Sequence, residues 1–174
     1  MNNILLIGLR GSGKTTIGRE LAALLRKPFI DLDEHTARHL GAPSVAEAWK
    51  EHGESGFRNA EAQVLRRVLA IPGQVIALGG GTPTAPGAFH LIETAQKHDK
   101  ILVIYLRASA KTLRERLAQA DNTNRPSLTG DDVIAEVDRV LAARDSKYRE
   151  LADEVVDVDG LTQRTVLRNV KDRL

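Results

Sequence analysis

Short, continuously apolar runs alternate along this chain with stretches in which apolar residues recur every three or four positions. Ile4-Leu5-Leu6-Ile7, Val75-Ile76-Ala77-Leu78 and Ile101 to Leu106 have the length and branching of buried strands, and Glu154 to Val158 reads as a last strand. Phe29 to Asp33 reads as a short buried strand ending in two carboxylates. Side chains alternate along a strand, so Asp31 and Asp33 are expected to point to the same side. Between these runs the spacing is helical. Thr16 to Leu25 should end near Arg26-Lys27, because Pro28 bars helical geometry in the residue before it. Glu34 to Leu40 is predicted helical, stopping at Gly41. Ser44 caps Val45 to His52, with Glu47 at the capping-box position. Gly53-Glu54-Ser55-Gly56 should break the chain before a helix from Phe57 to Ala70. Further helices are predicted from about Ala88 to Lys97, Ser109 to Leu117, Asp131 to about Ala152, and Thr162 onward.

Strands alternating with helices predict an α/β fold: a three-layer parallel sheet of about five strands with helices on both faces. The 174 residues fit a single domain, 1–174. Two stretches interrupt the alternation, about 33–61 and about 120–130. In such sheets ligands lie beyond the carboxyl ends of the strands. Gly8, Asp33 and Gly79, each read as lying at a strand end, should therefore face one crevice.

Composition narrows the partners. Aromatic residues make up only 3% of the chain, too few for platforms that stack single-stranded bases. The formal charge is +2 and acidic residues lie between the basic ones throughout, so no nucleic-acid partner is expected and any functional arginine works singly, in a pocket. There is no cysteine, which excludes disulfides, thiolate metal sites and cysteine nucleophiles. Met1-Asn2-Asn3 leads straight into the first strand, leaving no room for a signal or transit peptide, and no apolar run approaches the ~20 residues of a membrane span. A cytoplasmic protein without a membrane partner is the expectation.

The first strand and the first helix are joined by Gly8-Leu9-Arg10-Gly11-Ser12-Gly13-Lys14-Thr15. Strand, G-x-x-x-x-G-K-T and helix together define a phosphate-binding loop. Its backbone N–H groups turn inward toward an anion, and the helix N-terminus adds its dipole. Lys14 should reach the β- and γ-phosphates, and the Thr15 hydroxyl should hold Mg²⁺. Gly11, Ser12, Gly13, Lys14, Thr15 and Thr16 are the candidate contacts to a nucleoside triphosphate. GTP-binding proteins need N-K-x-D after a strand, and none occurs. Asp157-Val158-Asp159-Gly160 matches D-x-x-G, but so close to the C-terminus it reads as the turn into the last helix. Motor and transport ATPases need a strand ending in an acidic pair, whereas Val75 to Leu78 ends in Gly79-Gly80-Gly81. Compact kinases of small molecules remain.

Further motifs follow in order: Asp31-x-Asp33, Gly53-Glu54-x-x-Phe57-Arg58-x-x-Glu61, Gly79-Gly80-Gly81, Arg116, Arg125-Pro126 and Arg144-x-x-x-Tyr148. With the phosphate loop they resemble the shikimate kinases over nearly the whole chain. The resemblance implies the P-loop kinase fold with strand order 2-3-1-4-5. It implies ATP as co-substrate, one Mg²⁺ per subunit, and phosphorylation of the 3-hydroxyl of shikimate on the way to chorismate and the aromatic amino acids. A monomer acting on ATP and shikimate is expected. Lys14, Asp33 and Arg125 are assigned by resemblance to catalysis, the last from a lid over about 120–130. Asp31 is assigned to the Mg²⁺ shell through water, Arg116 to stacking on adenine, and Arg125 also to the ATP phosphates. Asp33, Arg58, Gly79, Gly80, Gly81 and Arg144 would bind shikimate.

These assignments have physical reasons. Arginine forks meet a carboxylate bidentately, so Arg58 and Arg144 suit the shikimate carboxylate. A glycine triplet lets a ring approach the backbone. Plainer alternatives stand beside them: an intrahelical pair of Arg58 with Glu61, which could also orient Arg58; a surface Arg116 near Glu115; and solvated carboxylates at Asp31 and Asp33. Two residues depart from the family pattern. Ser127 replaces an apolar lid residue, and Trp49 replaces a phenylalanine in the acceptor wall. His35, His39, His52, His90 and His98 form no metal or triad grouping and read as surface residues. A gluconate-type kinase would lack the Arg58–Arg144 clamp. A non-catalytic phosphate-loop module would lack Lys14, Asp33 or the lid arginine, and all three are present.

Overall fold

The computed structural model describes residues 2–98, 100–120 and 133–174. Its sheet has five parallel strands: β1 (Asn3–Ile7), β2 (Phe29–Asp31), β3 (Val75–Ala77), β4 (Ile101–Arg107) and β5 (Glu154–Asp157), in the order β2-β3-β1-β4-β5. β1 is central. Leu5 pairs with Ile76 of β3 on one side and with Val103 of β4 on the other, and all three are buried. Burial on both faces explains why these strands are unbroken apolar runs. Because β1 has β3 on one side and β4 on the other, a crevice opens beyond its C-terminal end.

The helices are α1 (Lys14–Leu25), α2 (Leu32–His39), α3 (Val45–Leu69), α4 (Ala88–Lys97), α5 (Ala110–Gln119), α6 (Val137–Leu151) and α7 (Gln163–Lys171). α1 ends as its sequence predicts, with Arg26 in the left-handed region (φ 54) and its N–H bonded back to Ala22 and Ala23. Among the described residues no helix is long and apolar enough to cross a membrane.

Four expectations need correction. Asp31 and Asp33 do not share a strand face. The Asp31 carboxylate accepts the Glu34 N–H as an N-cap, so α2 starts at Leu32 and Asp33 lies in its first turn. β2 is only partly buried at Phe29 and Ile30, because it is an edge strand paired with β3 alone. The break expected over Gly53 to Gly56 is narrower than that: the backbone leaves helical geometry at Gly53 alone (φ 66, ψ 178), and the second helical stretch follows it directly and runs to Leu69 rather than starting at Phe57. The long helix near the C-terminus begins at Val137. Asp131 lies outside the described residues, and 133–136 form a turn before the helix.

Segment 33–61 has a small core of its own. Ala37, Ala42, Ala48 and Phe57 are buried together, with Leu40, Val45 and Trp49 packed against them. It stands apart from the main core around the sheet, so it can hold acceptor residues without belonging to the strand–helix frame.

Burial pushes the Tyr148 phenol up to about 12, against the Arg144 guanidinium, which pulls it down. Burial and the Asp145 carboxylate raise Tyr105 as well. A raised folded-state value gives stability that is complete below the unfolded value near 10.0 and is lost as pH rises through the folded one. The thermal midpoint is therefore expected to fall between about pH 10 and 12, and Tyr148→Phe to remove part of that slope. Equal slopes in the two proteins would refute the tyrosine contribution.

Candidate active site

The phosphate loop is shaped by close packing against β4. Gly8 has φ +142, and a Cβ there would lie 2.6 Å from the Leu106 carbonyl oxygen. Helices α2, α3, α5 and α7 are capped by side chains of Asp31, Ser44, Ser109 and Thr162. α1 instead follows Gly13, with no side-chain cap and no acid in its first turn. A helix start with no capping side chain and no acid beside it suits an anion.

Lys14 is 8% exposed, and its Nζ donates to the carbonyls of Gly8 and Leu9, each at 2.8 Å. It braces the loop from within. Thr15 Oγ1 donates to Asp31 Oδ2 at 2.9 Å, so a hydroxyl and a buried carboxylate meet at the head of α1. Two hard oxygens fit Mg²⁺, which takes one or two protein ligands and otherwise water and substrate phosphates.

Arg116 is not a surface arginine paired with Glu115. Its Nη1 donates to Gly11 and Ser12 carbonyls at 3.2 and 3.3 Å, and its Nη2 to Val158 at 3.4 Å. It ties the phosphate loop to the segment after β5. Glu115 lies 4.0 Å from Lys111 instead. Arg116 and residues 11–16 line one cavity, whose far wall is Leu161, Gln163 and Val166. The sequence carried no signal for that wall, which is made of ordinary side chains far along the chain.

A second cavity adjoins the first, and Lys14 and Thr15 line both. Its wall brings together Asp31, Asp33, Arg58, Gly80, Gly81 and Arg144, from four separate parts of the chain. Arg58 is held on several sides. Its Nη1 donates to Glu61 Oε2 at 2.7 Å, and its guanidinium lies 5.3 Å from the Trp49 ring centre and 6.0 Å from that of Phe57. Glu61 is 1% exposed, and its other oxygen accepts from Thr82 Oγ1 at 2.6 Å. The intrahelical pair therefore orients Arg58 toward the cavity. Thr82 was not legible from sequence, whereas the i, i+3 spacing of Arg58 and Glu61 was.

The glycine triplet makes these approaches possible. A Cβ on Gly81 would run into the Arg58 guanidinium, and one on Gly79 into the Asp33 carboxylate. Gly79 is buried beneath Asp33 and does not reach the cavity wall, unlike Gly80 and Gly81. Arg144 Nη1 donates to the Gly80 carbonyl at 3.0 Å, and the Tyr148 hydroxyl donates to the same oxygen. Trp49 lies on the wall with Phe57, 5.3 Å between ring centres, as its place in the motif order suggested. Val137, Val140 and the buried Glu136 complete the wall from the start of α6 and were not expected.

Arg125 and Ser127, with the rest of the lid beyond Ala120, lie outside the described residues; Ala120 itself lines the first cavity. Thr16 is exposed on that cavity's rim, and Ser12 is buried in the loop. Of the histidines, His35 is partly buried with Nδ1 3.1 Å from the Asp31 carbonyl, and the other four are exposed.

Two cavities meeting at a phosphate loop, one of them with paired arginines and a carboxylate, can seat a nucleotide and a small anionic acceptor side by side. Comparisons with known proteins agree. A family model described as shikimate kinase matches residues 10–174. A protein named shikimate kinase 2 from Yersinia enterocolitica is 43% identical over 155 residues, covering 88% of this chain and 85% of that protein. A shikimate kinase from Halorhodospira halophila is 38% identical over 173 residues, covering 99% and 93%. The structure of shikimate kinase from Acinetobacter baumannii in complex with shikimate superposes with a TM-score of 0.87 at 29% identity, covering 99% of this chain and 92% of that one.

Proposed function

The chain belongs to the shikimate kinase family, and we propose that it transfers the γ-phosphoryl group of ATP to the 3-hydroxyl of shikimate. The products are shikimate 3-phosphate and ADP, on the route to chorismate and the aromatic amino acids. The observation that carries this reading is the convergence of Arg58 and Arg144 on the Gly80-Gly81 strip, in a cavity that shares Lys14 and Thr15 with the phosphate loop. A carboxylate bound by both guanidinium groups would orient the ring within reach of the γ-phosphate.

In the reaction the 3-oxygen of shikimate bonds to the γ-phosphorus, the bond from that phosphorus to the β–γ bridging oxygen breaks, and ADP leaves. Asp33 holds the attacking hydroxyl and accepts its proton. Lys14 neutralises charge on the transferring group, which is what phosphoryl transfer asks of a protein beyond positioning. Thr15 and Asp31 would hold Mg²⁺, which when bound would supply charge neutralisation to the phosphates. Gly11, Ser12, Gly13 and Thr16 hold the nucleotide phosphates, which by the family resemblance Arg125 also contacts, and Arg116 meets adenine. The enzyme is proposed to act as a cytoplasmic monomer.

ADP release measured with shikimate, quinate and gluconate tests the reading. Turnover with shikimate and none with gluconate is expected, since gluconate has no ring to fill the wall of Trp49 and Val140. Equal rates with the two would overturn it. Arg58→Ala and Arg144→Ala should each raise the shikimate KM roughly tenfold to a hundredfold, the worth of a charge-assisted hydrogen bond. The KM for ATP should move much less. Equal losses for both substrates would remove the clamp from the acceptor site.

A further inference from the structure

Asp145 follows Arg144 directly but leaves α6 about 100° further around the helix, on another face. It lines neither cavity. Its carboxylate is instead fastened to the sheet. Oδ1 accepts from the Tyr105 hydroxyl at 2.8 Å and from Arg107 Nε at 3.2 Å, both on β4, and Oδ2 accepts from Arg149 Nε at 2.8 Å. Arg107 is itself held by Asp157 of β5 at 3.1 Å. Partial burial works to raise the Asp145 carboxyl, but the donors from Arg149, Tyr105 and Arg107 outweigh it and hold the group below the usual carboxylate range.

The opposite attachment of α6 is the acceptor wall. Arg144 and Tyr148, four residues apart on one face, both donate to the Gly80 carbonyl. Tyr105 joins the two attachments, because its ring packs edge-on against Tyr148 with 5.2 Å between centres while its hydroxyl reaches Asp145. Rotation of α6 about its axis would break the Asp145 contacts and swing the Arg144 guanidinium away from Gly80 in the same movement.

We propose that Asp145 is a positioning residue for the acceptor clamp: by fixing the rotation of α6 against β4 it holds the Arg144 guanidinium where the shikimate carboxylate must be met. This rests on the reading of Arg144 as a carboxylate ligand. It gives the bound acid an oriented cation rather than one that must be ordered on binding, which is where preorganisation gains affinity.

The test is steady-state kinetics of Asp145→Asn, Arg144→Ala and the double variant, with thermal midpoints measured alongside. Asp145→Asn keeps the shape and loses the charge. It is expected to raise the shikimate KM about tenfold, with kcat and the ATP KM within about twofold of wild type. In the Arg144→Ala background the same change should alter the shikimate KM by less than about twofold, because its effect acts through Arg144. Tyr105→Phe, which removes one donor and keeps the ring, should give a smaller rise of the same kind and lose it in the same background. An unchanged shikimate KM in Asp145→Asn, an equal effect in both backgrounds, or a fall in kcat with a rise of both KM values and a lowered thermal midpoint would each overturn the proposal. If Arg144→Ala alone leaves the shikimate KM unchanged, the acceptor reading fails first, and the proposal with it.

Discussion

Lys14→Ala is expected to lower kcat by about 100-fold to 1,000-fold, the range seen when a preorganised electrostatic donor is removed from a transition state. The ammonium lies at the junction of the two cavities, on the first residue of α1, where a transferring phosphoryl group would pass. Its two bonds to the Gly8 and Leu9 carbonyls give the substitution a second consequence. Hydrogen bonds from a charged group are worth about 1.5–3 kcal/mol each, so the loop should loosen and the thermal midpoint fall. The two effects separate by measurement. Circular dichroism at the assay temperature should show a folded protein, while ADP release at saturating ATP and shikimate stays below a few per cent of wild type. Higher residual activity in the folded variant would take Lys14 out of the reaction. A wild-type thermal midpoint would take it out of the loop's bracing.

The frame of the fold was legible because burial on both faces leaves a strand no freedom of composition. Leu5, Ile76 and Val103 sit in register across three strands, and each belongs to an apolar run that no helix period accounts for. The phosphate loop was legible for a related reason: backbone packed as closely as Gly8 against Leu106 excludes every other residue. Segment 33–61 was harder to read. The two acids of Asp31-x-Asp33 fit a strand end as well as a helix start, and the choice was made by one capping bond, from Glu34 N–H to Asp31. At Gly53 a single residue with positive φ separates two helical stretches that follow each other directly, an outcome that composition cannot distinguish from a longer loop.

Of the site, the residues that bring charge were visible and those that aim it were not. Arg58, Arg144 and Arg116 stand out by type and motif. What fixes each of them is tertiary: Glu61 with Thr82 behind Arg58, the Gly80 carbonyl before Arg144, and the Gly11, Ser12 and Val158 carbonyls around Arg116. Carbonyl acceptors have no sequence signature, since every residue carries one. The wall of Leu161, Gln163 and Val166 was hidden for the same reason as Val137 and Val140. An apolar side chain on a cavity wall and one in a core obey the same helical period.

Asp33→Asn is expected to lower kcat by about 100-fold or more, within the range for loss of a positioned general base. Asp33 stands in the first turn of α2 on the acceptor wall, with its carboxylate packed directly over Gly79. Asparagine keeps the shape and one oxygen that can accept from the shikimate hydroxyl, but it cannot take up the proton. Asparagine and alanine variants therefore divide the two roles the carboxylate could have. If it only orients the hydroxyl, Asp33→Asn should retain more than about a tenth of wild-type kcat, with the large loss confined to Asp33→Ala, because a loose phosphoryl-transfer transition state asks little of a base. If it accepts the proton, both variants fall together, and shikimate binding, measured by titration without nucleotide, weakens by no more than about a hundredfold, the upper worth of one charge-assisted hydrogen bond. The second outcome is expected. Gly79→Ala supplies an independent check, because its added Cβ displaces the Asp33 carboxylate without changing its chemistry. A kcat as low as that of Asp33→Asn would tie the reaction to the place of the carboxylate. A wild-type kcat in Gly79→Ala, like an active Asp33→Asn, would remove Asp33 from the proton's path.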